Sequence, residues 1–189
     1  MNTNPHLPYE AEIIARVDES PNVFTLHSRF CNPEIGARYQ SETGQFNMIY
    51  LYGVGEVPIS IMAHNPVDDM LSHTIRAVGR VTDGIAKLQI GDRIGIRGPY
   101  GRGWPLAEAR GKDVVLILGG LGCAPAVSVI HHILAHRDDF GRLVIMQGVK
   151  HSDDLIWRQQ YESWGQHPNT QVLLAADVAG KAWPWLTGR

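Results

Sequence analysis

The residues best placed to do chemistry in this 189-residue chain are three glycines crowded ahead of a helix-forming run, in the stretch GGLGCAP at residues 119–125. Glycine allows positive φ and has no side chain to hold a ligand away from the main chain, so Gly119, Gly120 and Gly122 make a bare, sharply bent turn. Pro125 suits the first turn of a helix, where its missing N–H would have had no partner anyway. The unbonded amides and partial positive charge of a helix N-terminus attract an anion, and a pyrophosphate is the usual guest. The pattern is not GxGxxG, because Pro125 stands at the third glycine position, and the lysine of a P-loop is absent. From this stretch alone, a tight β-to-α turn of any α/β protein would read the same.

Such a turn needs a strand before it and a helix after it. The apolar run 114–118 supplies the strand, 124–136 the helix and 143–146 a second strand, which is the βαβ grammar of a parallel sheet. A helix over 153–164 and a strand over 172–175 continue it. The upstream half reads differently, with short β-favouring segments at 11–17, 23–27, 46–52, 58–62, 74–78 and 93–97 and one helical segment at 84–88. Turn-prone combinations separate them: Ser20-Pro21-Asn22, residues 53–55, Asn65-Pro66 and Gly91-Asp92. That spacing predicts a β-barrel or sandwich, with the boundary to the α/β half inside 103–112, where glycine and charge are densest.

Composition excludes several classes. A 44% hydrophobic and 19% charged chain with 20 glycines and 11 prolines is one that folds and turns often. A formal charge of -2 without a lysine or arginine run argues against nucleic acid as a partner. Cys31 and Cys123 are far apart and neither sits in a CxxC, so no disulfide framework or cysteine-held metal is indicated and a reducing, cytoplasmic compartment is expected. No stretch reaches about 18 uninterrupted apolar residues, so no membrane span is expected, and the opening residues lack a signal-peptide pattern.

Taken together, the β half, the GPYG connector and the GGLGCAP turn resemble the ferredoxin-NADP reductase superfamily. The stretches NPHLPYEAEI, GQFNMIYLYGVGEVPISI and HTIRAVGRVTDGIAKLQIGDRIGIRGPYGRGWPL look most like the gamma, or diaphorase, subunit of soluble nickel-iron hydrogenases and sulfhydrogenases. The sulfite reductase B subunit and the electron-transfer subunit of dihydroorotate dehydrogenase are close relatives. The resemblance implies an FAD-binding β-barrel over residues 1–106, followed by an NAD(P)-binding α/β parallel-sheet domain over 107–189 that is C-terminally incomplete. It implies that FAD lies along Val57, Pro58, Ile59 and Ser60, with the Ser60 hydroxyl beside the reactive N5 edge as the catalytic contact. Thr74, Ile75 and Arg76 would form a second flavin strand, Arg76 offering a charged fork to phosphate or ring oxygen. Val81 and Thr82, just before the short helix, match the place where the pyrophosphate meets main-chain amides.

In the second half the resemblance implies that Gly119, Gly120, Gly122, Cys123, Ala124 and Pro125 meet the nicotinamide dinucleotide. Residues 148–150 would approach its ribose side, and Asp177 would accept from ribose hydroxyls and repel the extra phosphate of NADPH, favouring NADH. A strand-end aspartate in a turn reads the same way. One departure stands out: many superfamily members begin the first flavin motif with an arginine, and here it is Val57. Hydrogenase-type relatives often share that loss.

Other constellations read as structural. His131, His132 and His136 could chelate a metal by spacing, but an apolar stripe of Ala126, Val127, Ile130, Ile133 and Leu134 already defines the buried face, so no metal site is expected. Trp157, Tyr161, Trp164, Trp183 and Trp185 are expected in part as core. Asp138-Asp139 and Asp153-Asp154 suit loops or helix starts. The later CGP-like strand and four-cysteine cluster of the relatives are missing before Arg189, so no in-chain iron–sulfur cluster is expected. The implied function is a diaphorase-type NAD(P)H-dependent flavoprotein electron-transfer subunit, moving electrons between NAD(P)H, FAD and the iron–sulfur centres of a partner such as a hydrogenase subunit. The alternatives are an assembly or relay module without nicotinamide turnover, or the reductase subunit of a sulfite reductase or dihydroorotate dehydrogenase.

Overall fold

A computed structural model describes residues 6–65 and 68–188; Asn4 and Pro5 of the first motif, Pro66 of the expected turn and Arg189 lie outside the described residues. The chain divides into two compact units, Met1–Gly103 and Trp104–Arg189. The first is built from strands β1 (Tyr9–Ser20), β2 (Val23–Phe30), β3 (Phe46–Leu51), β4 (Gly55–Ser60), β5 (Ala63–Asn65), β6 (Met70–Arg76) and β7 (Arg93–Tyr100), with short helices α1 (Pro33–Gly36) and α2 (Arg80–Ile85). They form one antiparallel sheet in the order β4-β3-β7-β1-β2-β6-β5. The sheet curls so that edge strand β4 packs against β6 and α2 with no ladder between them.

Side chains two apart on a strand share a face, and here that face is apolar. Ala11 and Ile13, Phe24 and Leu26, Ile49, Leu71 and Ile75, and Ile94 and Ile96 form one buried cluster closed by Ile85 of α2. Each fully buried isoleucine or leucine contributes about 1.5–3 kcal/mol. The same interior also holds polar groups. The Tyr39 hydroxyl donates to Asn47 Oδ1 at 2.8 Å, and Asn47 Nδ2 lies 3.1 Å from Nε2 of the buried His73.

The second unit comprises β8 (Val114–Gly119), α3 (Cys123–Ala135), β9 (Leu143–His151), α4 (Arg158–Gly165), β10 (Thr170–Val178) and a two-residue β11 (Leu186–Thr187), in a parallel sheet of order β11-β10-β9-β8. Leu116 of β8 registers with Ile145 of β9, and Ile145 with Val172 of β10. His131 of α3 meets the Trp164 ring of α4 edge-on, with centroids 6.0 Å apart. The alternate face of the sheet leaves Val115 at 55% and Ile117 at 78% exposure.

The fold class matches the sequence reading, but most strands are longer or shifted, α1 and β5 have no counterpart in it, and three further differences bear on the candidate site. Helix α2 starts at Arg80 rather than Gly84, because the Thr82 hydroxyl closes the turn at residues 78–79. The helix expected over 153–164 is split: residues 152–154 make a 3-10 turn, Trp157 adopts left-handed φ 58°, and α4 begins only at Arg158. Strand β9 continues to His151, so Gly148 and Lys150 lie within it rather than after it.

Candidate functional site

In the first unit the candidate residues gather where β4 meets α2 and the end of β6. As an edge strand, β4 keeps one rim of main-chain groups without a ladder partner. Val57 and Ile59 lean half-buried against the core, while Pro58 and Ser60 point to the other side of the strand. The Ser60 hydroxyl has no hydrogen bond among the described residues. Helix α2 stands at the far end of β4: a Cβ on Gly55 would lie 3.4 Å from Val81, and the Arg80 guanidinium donates to the Val54 carbonyl. Five residues of strand, ~17 Å, separate that end from Ser60.

The three expected residues on β6 fare differently. Thr74 is 4% exposed, with its hydroxyl 2.8 Å from that of Thr25 and donating to Met62 Sδ, and Ile75 belongs to the core. Both can reach a ligand only through their main chain. Arg76 is half-buried at the strand end, and its Nε is buried with no hydrogen-bond partner. Thr82 is committed internally: its Oγ1 accepts from Val78 N–H at 3.0 Å and Gly79 N–H at 3.1 Å and donates to the Gly79 carbonyl. Thr82 therefore shapes the loop entering α2 rather than offering its hydroxyl to a ligand. Pro58 and the free hydroxyl of Ser60 on the outer side of β4, with the orphaned guanidinium N–H of Arg76 at the end of β6, are groups that a flat ring joined to an anionic tail, as in FAD, could use.

In the second unit, β8 ends at Gly119, residues 120–122 turn once, and α3 starts at Cys123. A Cβ at Gly119, Gly120 or Gly122 would meet nothing within 4 Å. Only Gly120, at φ +51°, needs glycine for its conformation; Gly119 is extended and Gly122 helical. At those two positions the absent side chain leaves open space above the turn. No side chain caps α3, so its first amides remain available to an anion. Pro125 falls in that first turn and is partly exposed, whereas Cys123 and Ala124 are buried and face inward. Asp177 is exposed near the end of β10. This arrangement can hold a phosphate-bearing dinucleotide.

Behind the turn lies one residue that sequence reasoning did not single out, Gln147. Gln147, buried on β9, donates through Nε2 to the Gly120 carbonyl at 3.0 Å and to the Gly148 carbonyl at 2.9 Å. Its Oε1 accepts from the Tyr161 hydroxyl at 3.3 Å, and Tyr161 also bonds the Cys123 side chain. Burial drives the Tyr161 phenol well above its usual range, so it stays a donor. A glutamine inside an apolar strand was the available signal.

The remaining clusters carry no site. His132 and His136 stack on each other at 4.5 Å, and no group of His, Cys, Asp and Glu among the described residues could hold a metal. Tyr161 and Trp164 are core, while Trp183 and Trp185 flank the Arg158 guanidinium. No helix among the described residues is long and apolar enough to cross a membrane. A separate cavity of about 670 Å³ in the first unit, lined by Tyr9, Cys31, Ile35, Tyr39 and Pro99, includes none of the expected cofactor residues.

Comparison with known proteins adds the following. Residues 116–189 match the oxidoreductase NAD-binding domain family. The chain is 31% identical to sulfhydrogenase 1 subunit gamma of Pyrococcus furiosus, across 100% of this chain and 65% of that protein. It is 34% identical to sulfhydrogenase 2 subunit gamma of the same organism, across 93% and 61%. A probable dihydroorotate dehydrogenase B electron transfer subunit of Methanocella arvoryzae is 36% identical across 62% of this chain and 40% of its own length. The chain thus spans less than two thirds of these relatives. Among solved structures, a ferredoxin NADP+ reductase from Neisseria gonorrhoeae with bound FAD and NADP superposes with TM-score 0.78 at 23% identity, covering 95% of this chain and 72% of that one. The cytochrome b5 reductase domain of Ulva prolifera nitrate reductase gives TM-score 0.78 at 18% identity, covering 98% and 79%. These last two establish the fold alone.

Proposed function

We propose that the chain belongs to the ferredoxin reductase-like superfamily of FAD- and NAD-binding proteins and is a flavoprotein electron-transfer subunit linking a nicotinamide dinucleotide to the redox centres of a partner. The observation that carries the reading is the glycine turn: an uncapped helix N-terminus, main chain that only Gly120 can follow, and open space where side chains would stand. When bound, FAD supplies the hydride-accepting and single-electron chemistry. The protein's residues bind and orient. The outer side of β4, with Pro58, would lie along the ring, the free hydroxyl of Ser60 would donate to its edge, and Arg76 would meet the anionic tail. Exposed Asp177 at the end of β10 would take ribose hydroxyls and favour NADH. No residue has to act as a general acid or base.

The partner we favour is an iron–sulfur-bearing subunit of a soluble nickel-iron hydrogenase, because alignments with two sulfhydrogenase gamma subunits run through both units. The test uses the purified chain supplied with FAD. A yellow protein whose flavin absorbance bleaches on anaerobic addition of NADH is the expected result. Yellow protein that NADH does not bleach would remove nicotinamide turnover and leave an assembly module. Failure to retain flavin would sink both.

A further inference from the structure

The residue that keeps the glycine turn in shape is a side chain 27 positions downstream of it. Gln147 uses its whole amide. One N–H holds the Gly120 carbonyl, Nε2 also reaches the Gly148 carbonyl, and Oε1 takes the Tyr161 proton. Tyr161 in turn bonds the side chain of Cys123, the first residue of α3. One glutamine therefore ties the turn to β9 and α4 at the point where the main chain passes through φ +51°. The orientation of the Gly120 carbonyl decides which way the following amides face. A buried carbonyl that lost this donor would turn to find another partner. Gln147 is only 3% exposed and its amide is taken up by these bonds, so its side chain offers almost no surface to a ligand.

We propose that Gln147, backed by Tyr161, is a positioning residue that holds the Gly119–Gly122 turn in the conformation that receives the dinucleotide. The inference rests on the dinucleotide reading of that turn, and its test separates the two. The 189-residue chain, supplied with FAD, is compared with Gln147→Met, which matches the side chain in length without its hydrogen bonds, and with Tyr161→Phe. Two quantities are measured: backbone hydrogen exchange over residues 119–123 without nucleotide, and KM and kcat for NADH with ferricyanide as acceptor. In Gln147→Met, exchange over the turn should quicken about tenfold while the strands β9 and β10 stay protected, and KM should rise about tenfold with a much smaller change in kcat. Tyr161→Phe should move both in the same direction by about threefold, and it carries the test if Gln147→Met does not fold. Unchanged exchange in a folded variant overturns the proposal, as does a fall confined to kcat. A wild-type chain that oxidises no NADH overturns the functional reading instead, and the exchange rates then decide the role of Gln147 on their own.

Discussion

The antiparallel unit and the parallel unit handle buried polar groups in contrasting ways. In the first, the chain from Tyr39 through Asn47 to His73 lies inside the sheet, while the candidate cleft sits outside along the β4 rim. In the second, the buried chain from Tyr161 through Gln147 ends on the candidate turn itself. A side chain in the first unit therefore either serves the core or faces the cleft, and Thr74 and Thr82 do the former. In the second unit the turn is main chain, so the side chains packed against it act from behind. The lesson concerns substitution: the cleft should respond to changes of chemistry, the turn to changes of backbone freedom.

The sharpest contrast is the response to acid. Burial holds the His73 imidazole neutral, its pKa pushed down to about 4 from an ordinary 6.5, with His27 adding repulsion. Below pH 6.5 the unfolded chain takes up a proton that the folded unit refuses. The stabilisation is thus complete above 6.5 and disappears as pH falls toward 4, by roughly 3 kcal/mol in total. Denaturant unfolding across that window should show the loss, and His73→Gln, which leaves Asn47 an acceptor, should flatten it. A slope that persists in the variant would place the titration elsewhere.

Next in size is Gly120→Val. A β-branched residue at φ +51° costs about 2 kcal/mol, which should raise KM for NADH roughly thirtyfold while leaving flavin content alone. Loss of flavin in that variant would break the division between the units. Arg76→Met removes a charge-assisted donor from the cleft and should weaken FAD retention about tenfold, measured by equilibrium dialysis, with NADH affinity unaffected. The smallest effect is expected from Thr82→Val, which strips the turn of its hydroxyl and should lower thermal stability by about 1 kcal/mol, with Thr82→Ser restoring it. Flavin loss without destabilisation would mean that Thr82 contacts the ligand directly.

Much of this architecture was legible in the chain. Alternating apolar residues such as Ile94 and Ile96 marked the antiparallel strands, and the change to continuous apolar runs at Val114 marked the parallel sheet. The start of α2 was hidden because the β-branched Val81 and Thr82 are poor helix signals until Thr82 folds back on Gly79. The break at Trp157 was hidden for a related reason, since a bulky residue rarely adopts positive φ and nothing local announces it.

By itself the sequence determined the order of the two sheet types, the glycine turn between strand and helix, and the residues able to offer charge or hydroxyl near it. Those properties follow from periodicity and residue chemistry, which act between neighbours along the chain. Tertiary structure alone decided which of those groups are spent. Thr74 is taken up by Thr25 across 49 residues, and Gly120 is held by Gln147 across 27. A hydrogen-bonding group has few partners to give, and only the folded chain brings distant candidates within 3 Å to claim them.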